Sequence, residues 1–149
     1  MIQRTFVMIK PDGVERRLSG IVINKLELKG LRLQGIKILI PTEKMAMEHY
    51  AEHVGKPFYD GLIKHLTSGP VIAMVWEGSD AIKVVRSIVG KTNPIDASPG
   101  TIRGDFGLDM GKNIVHASDS IESAERELGI YFKDNELIHH IYNDKTYFE

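Results

Sequence analysis

The 149-residue chain contains no cysteine. That excludes disulfide staples, thiolate catalysis and cysteine-ligated zinc, and it fits a reducing compartment. Long hydrophobic runs are also missing. The longest, Val71–Trp76, is far short of the roughly 18 residues of a membrane span. The opening Met1-Ile2-Gln3-Arg4-Thr5 lacks the basic-then-apolar layout of a signal peptide, so a cytoplasmic protein with no membrane contact is expected. Charge of one sign is not in excess. The net charge of −1 gives no global pull toward nucleic acid, and any basic site must be local. Two nucleotide signatures are absent as well. Phe106 stands where a P-loop ending at Gly111-Lys112 needs its first glycine, and no G-x-G-x-x-G occurs.

What is present is ordinary globular material: 42% hydrophobic and 26% charged residues. Residues 1–149 fit one domain with one core. Thr5–Lys10 reads as a buried strand stopped by a turn at Pro11-Asp12-Gly13. Ser19-Gly20 opens a helix with Val22, Ile23 and Leu26 at helical spacing, ended by Gly30. Leu31–Ile40 reads as a strand with Ile36, Ile38 and Ile40 on its apolar face. Helices follow over Glu43–His53, capped by Thr42, and Phe58–Thr67, with Leu62 and Leu66 inward. Val71–Glu77 is apolar on both faces, as a central strand would be. A helix capped by Ser79 or Asp80 runs to Val89. Lys91–Lys112 is aperiodic and reads as a functional loop. Ile114–Ala117 is a short strand, and Asp119 or Ser120 caps a helix to Leu128. The aromatics Tyr131, Phe132, Tyr142, Tyr147 and Phe148 imply a tail that packs on the domain or a neighbour. This order predicts an α+β sandwich, one mostly antiparallel sheet with helices on its faces.

The chemistry concentrates in Asn113-Ile114-Val115-His116-Ala117-Ser118-Asp119-Ser120. A neutral imidazole is a competent nucleophile, and neighbours select the nitrogen that attacks. Ser118 and Glu127 are within reach of the ring. The bland alternative is a histidine satisfied by a backbone carbonyl. Lys10 ends a buried strand and either snorkels to water or meets an anion. Arg86 and Arg103 are either surface cations or forks matching phosphate oxygens, with Thr92 adding a hydroxyl. Lys10, Arg86, Arg103 and His116 in one pocket would hold a polyphosphate without a P-loop. His49 and His53 have metal-ligand spacing, but Tyr50 occupies the place of the zincin glutamate and no third ligand is evident, so no metal is expected there. His139-His140 reads as a solvated pair near a helix end. Tyr50 and Phe58 flank the Gly55-Lys56-Pro57 break as core packing or as an aromatic lip for a base. An RNA-binding module lacks its aromatic signature here, and a protein-histidine phosphotransfer regulator needs no base-stacking residue.

Together these residues resemble nucleoside diphosphate kinases. Asn113–Ser120 resembles the family motif N-x-x-H-G-S-D-S, and the likeness extends over nearly the whole chain. It includes Ile9–Val14, Ser68–Val71, Met74–Gly78, Thr92–Pro94 and Pro99–Phe106. The resemblance implies a ferredoxin-like sandwich with a four-stranded antiparallel sheet. It implies ping-pong transfer of the γ-phosphate from a nucleoside triphosphate, typically ATP, to a diphosphate such as GDP, maintaining nucleotide pools. His116 would be the phospho-acceptor through Nδ1, oriented by Glu127 and Ser118 and buttressed by Tyr50. Lys10, Arg86, Thr92 and Arg103 would bind phosphates, and Lys10 and Asn113 the ribose. Phe58 would stack on the base, with Leu62 and Met110 nearby. Magnesium (Mg2+) would be held mainly by the nucleotide phosphates, with no protein metal site. The loop 91–112 and the tail past Gly129 look like the hexameric type of homo-oligomer. Ala117 departs from the family's frequent glycine, and Lys112 from a frequent arginine; both changes are mild.

Overall fold

The computed structural model describes residues 1–143, so Tyr147 and Phe148 lie outside the described residues. Four strands form the sheet: β1 (Ile2–Ile9), β2 (Arg32–Leu39), β3 (Val71–Ser79) and β4 (Val115–Ala117). Their order is β2-β3-β1-β4, and every pairing is antiparallel. Among the described residues, seven helices accompany them: α1 (Pro11–Glu15), α2 (Ser19–Leu28), α3 (Glu43–His49), α4 (Tyr59–Leu66), α5 (Ala81–Val89), α6 (Ile102–Phe106) and α7 (Ile121–Tyr131). This is the ferredoxin-like α/β sandwich.

Strand alternation divides the core into two layers. Val7, Ile9, Met74 and Trp76 point to one face, where they meet Val22 and Leu26 of α2 and Val85 and Val89 of α5. Phe6, Met8, Ala73 and Val75 point to the other, against Ala46, Leu66, Tyr131 and Phe132. All eight of these strand residues are fully buried. His116 pairs with Met8 across β1 and β4, so its side chain belongs to the second face.

Three local expectations change. Pro11-Asp12-Gly13 is the first turn of a helix rather than an isolated turn. Proline at the first helical position and an acid in the first turn are helix-start chemistry. Gly13 is needed for close approach, because a Cβ there would lie 2.7 Å from the carbonyl oxygen of Ile114. The stretch 91–112 is not structureless. It holds a 3-10 turn at Pro94–Asp96 capped by Asn93, and α6, capped by Thr101. Segments of three and five residues are too short to carry an apolar period. On β2, Ile36 and Ile38 face solvent at 48% and 65% exposure, and Ile40 just beyond is 63% exposed. An irregularity between Leu33 and Gly35 shifts the register there and buries Gln34 instead.

Smaller differences follow helix ends. The helix expected over Glu43–His53 becomes α3 followed by a 3-10 turn at Ala51–His53. Asp80 precedes α5 with left-handed backbone (φ 50°) and no capping bond from its side chain, whereas Ser120 caps α7 by accepting from the Ser123 N–H. The tail packs as expected within the described residues. Tyr142 donates to the Leu33 carbonyl at 2.7 Å. His139 is not at a helix end; its Nδ1 lies 3.0 Å from Arg4 in an extended segment.

Candidate active site

A cavity of about 500 Å³ opens where β4, the C-terminal end of β1, the 91–112 segment and the α3–α4 connection converge. His116 lies in its floor. The ring Nε2 is 2.9 Å from Glu127 Oε1, in a short but bent contact. The Ser118 hydroxyl donates to the same oxygen at 2.7 Å and accepts from the Phe6 N–H at 3.3 Å. Glu127 and Ser118 are 3% and 0% exposed, so this orienting pair is shielded from competing water. With Nε2 turned toward the carboxylate, Nδ1 is the nitrogen left for other chemistry.

The polar end of the cavity is built from buried cations. The Lys10 ammonium donates to the Gly111 carbonyl and to Asn113 Oδ1, both at 3.0 Å. Burial lowers its pKa to about 8, with Arg103 adding to the shift and Asp12 and Asp109 opposing it. Arg103 lies in α6, only 4% exposed. Its guanidinium donates to three backbone carbonyls: Val115 at 2.6 Å, Gly90 at 3.1 Å and Asn113 at 3.4 Å. Arginine has five N–H donors, so two remain for a ligand. Burial, followed by repulsion from Arg86, lowers its pKa to about 10. Arg86 donates to the Ala117 carbonyl at 3.0 Å. Asn113 Nδ2 donates to the Thr92 carbonyl at 2.9 Å, which ties the 91–112 segment to the strand bearing the histidine.

The apolar end is a lip. Phe58 is 51% exposed at the start of α4, with Leu62 one turn on and Met110 opposite. The His53 ring meets Phe58 edge-on at 5.4 Å. His53 is thus turned to the lip while His49 is turned inward, so the two do not form the pair their spacing suggested. The rings packed on His116 are His49, at 4.6 Å and 71°, and Phe6, at 6.0 Å. Tyr50 packs on His49 at 4.7 Å. Burial, then Glu127 and Asp12, push the Tyr50 hydroxyl up to about 12 and keep it neutral.

Of the twelve site residues expected from the sequence, eleven line this cavity; Ser118 lies beneath it, behind Glu127. Two further residues escaped the sequence reading. His49 was considered only with His53, as a metal pair that was set aside. Asp12 was assigned to a turn, yet its Oδ2 accepts from the Ile114 N–H at 2.8 Å and its Oδ1 pairs with His65 at 2.9 Å. Ile114 has φ +78°, a rare value for a β-branched residue. The Val115 N–H bonds to the Asn113 carbonyl at 2.9 Å around it, which makes a strained γ-turn. The Lys10 N–H holds the Ile114 carbonyl at 2.8 Å. Burial raises the Asp12 pKa, but the His65 hydrogen bond, Lys10 and the Ile114 N–H outweigh it and hold the carboxyl below its usual range. No spacing rule connects residue 12 with residue 114.

A ferredoxin-like sheet presenting one oriented histidine to a cavity with cations at one end and an aromatic lip at the other defines a nucleotide phosphotransferase. A profile described as nucleoside diphosphate kinase matches residues 3–137. The chain is 60% identical over 137 residues to a nucleoside diphosphate kinase of Archaeoglobus fulgidus (92% of this chain, 91% of that one). It is 58% identical to one of Bacillus licheniformis (92% and 93%). The solved structure of a halophilic nucleoside diphosphate kinase from Halobacterium salinarum in complex with CDP is similar with a TM-score of 0.95 at 50% identity, covering 98% of this chain and 97% of that one. The chain belongs to the nucleoside diphosphate kinase family. It is a phosphotransferase acting between nucleoside triphosphates and diphosphates, and enzymes of this family use a divalent cation. Among the described residues no helix is long and apolar enough to cross a membrane.

Proposed function

We propose that His116 accepts the γ-phosphate of a nucleoside triphosphate on Nδ1 and passes it to a second nucleoside diphosphate in the same cavity. The observation that carries this is the Nε2–Glu127 contact at 2.9 Å, which leaves the Nδ1 lone pair as the nucleophile. Nδ1 attacks the γ-phosphorus, the bond to the β-phosphate oxygen breaks, and the diphosphate leaves. The second diphosphate reverses the step. Lys10, Arg86 and the two spare donors of Arg103 stabilise charge on the transferring group, with the Thr92 hydroxyl beside them. Asn113 and Lys10 meet the ribose. Phe58 stacks on the base beside Leu62 and Met110, and stacking tolerates any base. Tyr50 buttresses the histidine through His49.

Magnesium fits the donor set. The cavity's carboxylates are Glu52, Asp119 and the inward-turned Glu127, which is too few oxygens for an all-protein cage, so the ion is held mainly by the phosphates. When bound, it would supply positive charge that offsets the charge of the phosphates. The reading also takes a homohexamer in the cytoplasm. The bare Ile36–Ile38–Ile40 stripe supports burial against another copy.

Incubation with γ-labelled ATP and magnesium should give an acid-labile, base-stable label on the wild type that GDP discharges. His116→Ala should take none. Label that persists in His116→Ala would reassign the nucleophile.

Lys10 gives a pH signature. Phosphate binding needs its charged form, so kcat/KM should fall as pH rises through about 8. A bound nucleotide raises the Lys10 pKa again, so kcat should hold to higher pH and binding above pH 8 should take up protons. The stability effect has the opposite sense. The folded-state pKa is lowered, so the buried charge destabilises the fold below about 8, and stability is recovered as pH rises toward 10.5. Lys10→Met should therefore be inactive yet more stable at pH 7, by about 1–3 kcal/mol. A thermal-unfolding series across pH reads this directly.

A further inference from the structure

The transfer mechanism uses His49 only as packing between Tyr50 and His116 and gives its ring nitrogens no role. His49 closes α3 with 3% of its surface exposed. Its Nδ1 is engaged with the Tyr131 hydroxyl at 2.9 Å, and its Nε2 is buried with no hydrogen-bond partner among the described residues. An orphaned imidazole nitrogen in an interior is costly unless something visits it. Burial, followed by the neighbouring His116, Arg126, Lys10 and His53, holds its pKa well below the usual histidine range.

We propose that His49, His116 and Glu127 form a binding site for one zinc-class divalent cation, and that its occupancy blocks the histidine that accepts phosphate. One ligand atom from each of the three residues lies within 4.8 Å of the others. His116 Nε2 and Glu127 Oε1 are already 2.9 Å apart. Tetrahedral zinc with bonds near 2.0–2.1 Å spaces its ligands by about 3.3 Å, so the widest pair closes by rotating the imidazoles. Two imidazoles and a carboxylate make a nitrogen-rich set that prefers zinc to magnesium, which favours oxygens and keeps its waters. The site therefore discriminates against the ion that accompanies the nucleotide. The fourth position faces the cavity, where a water or a phosphate oxygen would bind. A metal here takes the Glu127 oxygen that orients His116 and places a cation against the ring, so phosphate acceptance stops until the metal leaves.

The blocking half rests on the assignment of His116 as phosphate acceptor; the binding half does not. The test begins without nucleotide, because nucleotides chelate zinc. Equilibrium dialysis of the intact protein against zinc chloride in excess magnesium should give one tight equivalent. His49→Asn places an amide near the former Nδ1, keeping a partner for Tyr131 while deleting Nε2, and should weaken binding at least tenfold. X-ray absorption of the zinc-loaded wild type supplies a readout that does not depend on a variant folding: two imidazoles and at least one oxygen are expected. Unchanged affinity in His49→Asn, or fewer than two imidazoles, would overturn the proposal and assign the zinc to surface histidines. Zinc-loaded enzyme should lose more than tenfold of its activity and regain it with a chelator. If the metal stays bound as described but turnover is unaffected, the blocking half fails, and whether His116 takes label decides its own role separately. If no zinc binds while His116 still takes label, the inference alone fails.

Discussion

Replacing Arg103 with alanine is expected to lower kcat by about 10²–10³-fold and to destabilise the fold by about 2–4 kcal/mol in the same variant. The two losses have one origin. The guanidinium spans the carbonyls of Gly90, Asn113 and Val115, and its removal takes that donor from the Gly90 and Val115 carbonyls, while Asn113 keeps the Val115 N–H. In the proposed mechanism its remaining donors would face the transferring phosphate. Arg103→Lys separates the roles. An ammonium carries the charge but cannot reach three carbonyls in different directions, so it should recover part of the rate and little of the stability. Steady-state kinetics with thermal unfolding of both variants checks this. Wild-type turnover in Arg103→Ala would remove the residue from the phosphate site.

Asp12→Ala should slow phosphohistidine formation by about 10–10²-fold while nucleotide affinity changes little. The reasoning is that strained backbone near an active site costs about 1–3 kcal/mol and persists only where its surroundings over-determine it. The γ-turn at Ile114 is held by the Asp12 carboxylate on its N–H, by the Lys10 N–H on its carbonyl, and by contact with Gly13. Loss of the carboxylate lets the turn relax, and His116, two residues on, loses its placement against Glu127. Asp12→Asn keeps an oxygen for the Ile114 N–H and gives up the negative charge facing Lys10 and the carboxylate contact with His65, so it should restore most of the rate. Single-turnover quenched flow distinguishes transfer from binding. An unchanged transfer rate in Asp12→Ala, with the protein folded, would show that the turn stands without the clamp.

Much of this was legible in the chain. Val71–Trp76 declared a central strand because both of its faces are buried, and it is flanked on both sides in the sheet. The run from Asn113 to Ser120 announced the histidine because its polar residues crowd one short stretch, although the groups packed on the ring, His49, Phe6 and Glu127, come from elsewhere in the chain. Legibility failed where contacts are long-range or elements short. Asp12 meets Ile114 and His65 through folds of the chain that leave no periodic trace. α6 is five residues long, so its helical character is carried by the Thr101 cap alone. Alternation placed Ile36, Ile38 and Ile40 on one side of β2 but could not say which side the helices cover, and the irregularity after Leu33 moves the frame. His49 was weighed only beside His53, as a metal pair that was set aside; the chain leaves α3 between them and turns the two rings apart, and nothing in the spacing pointed to the contact with His116.

The carbonyls of Val115 and Ala117 point away from β1, toward the open side of β4, where a fifth strand would pair. Guanidinium groups occupy that line instead: Arg103 on Val115 and Arg86 on Ala117. An open strand edge is a template for adding foreign chain, and proteins protect such edges with charge. The groups assigned to phosphate therefore also guard the molecule against edge-to-edge aggregation. Losing both would unmask a sticky edge at the very strand that carries the nucleophile.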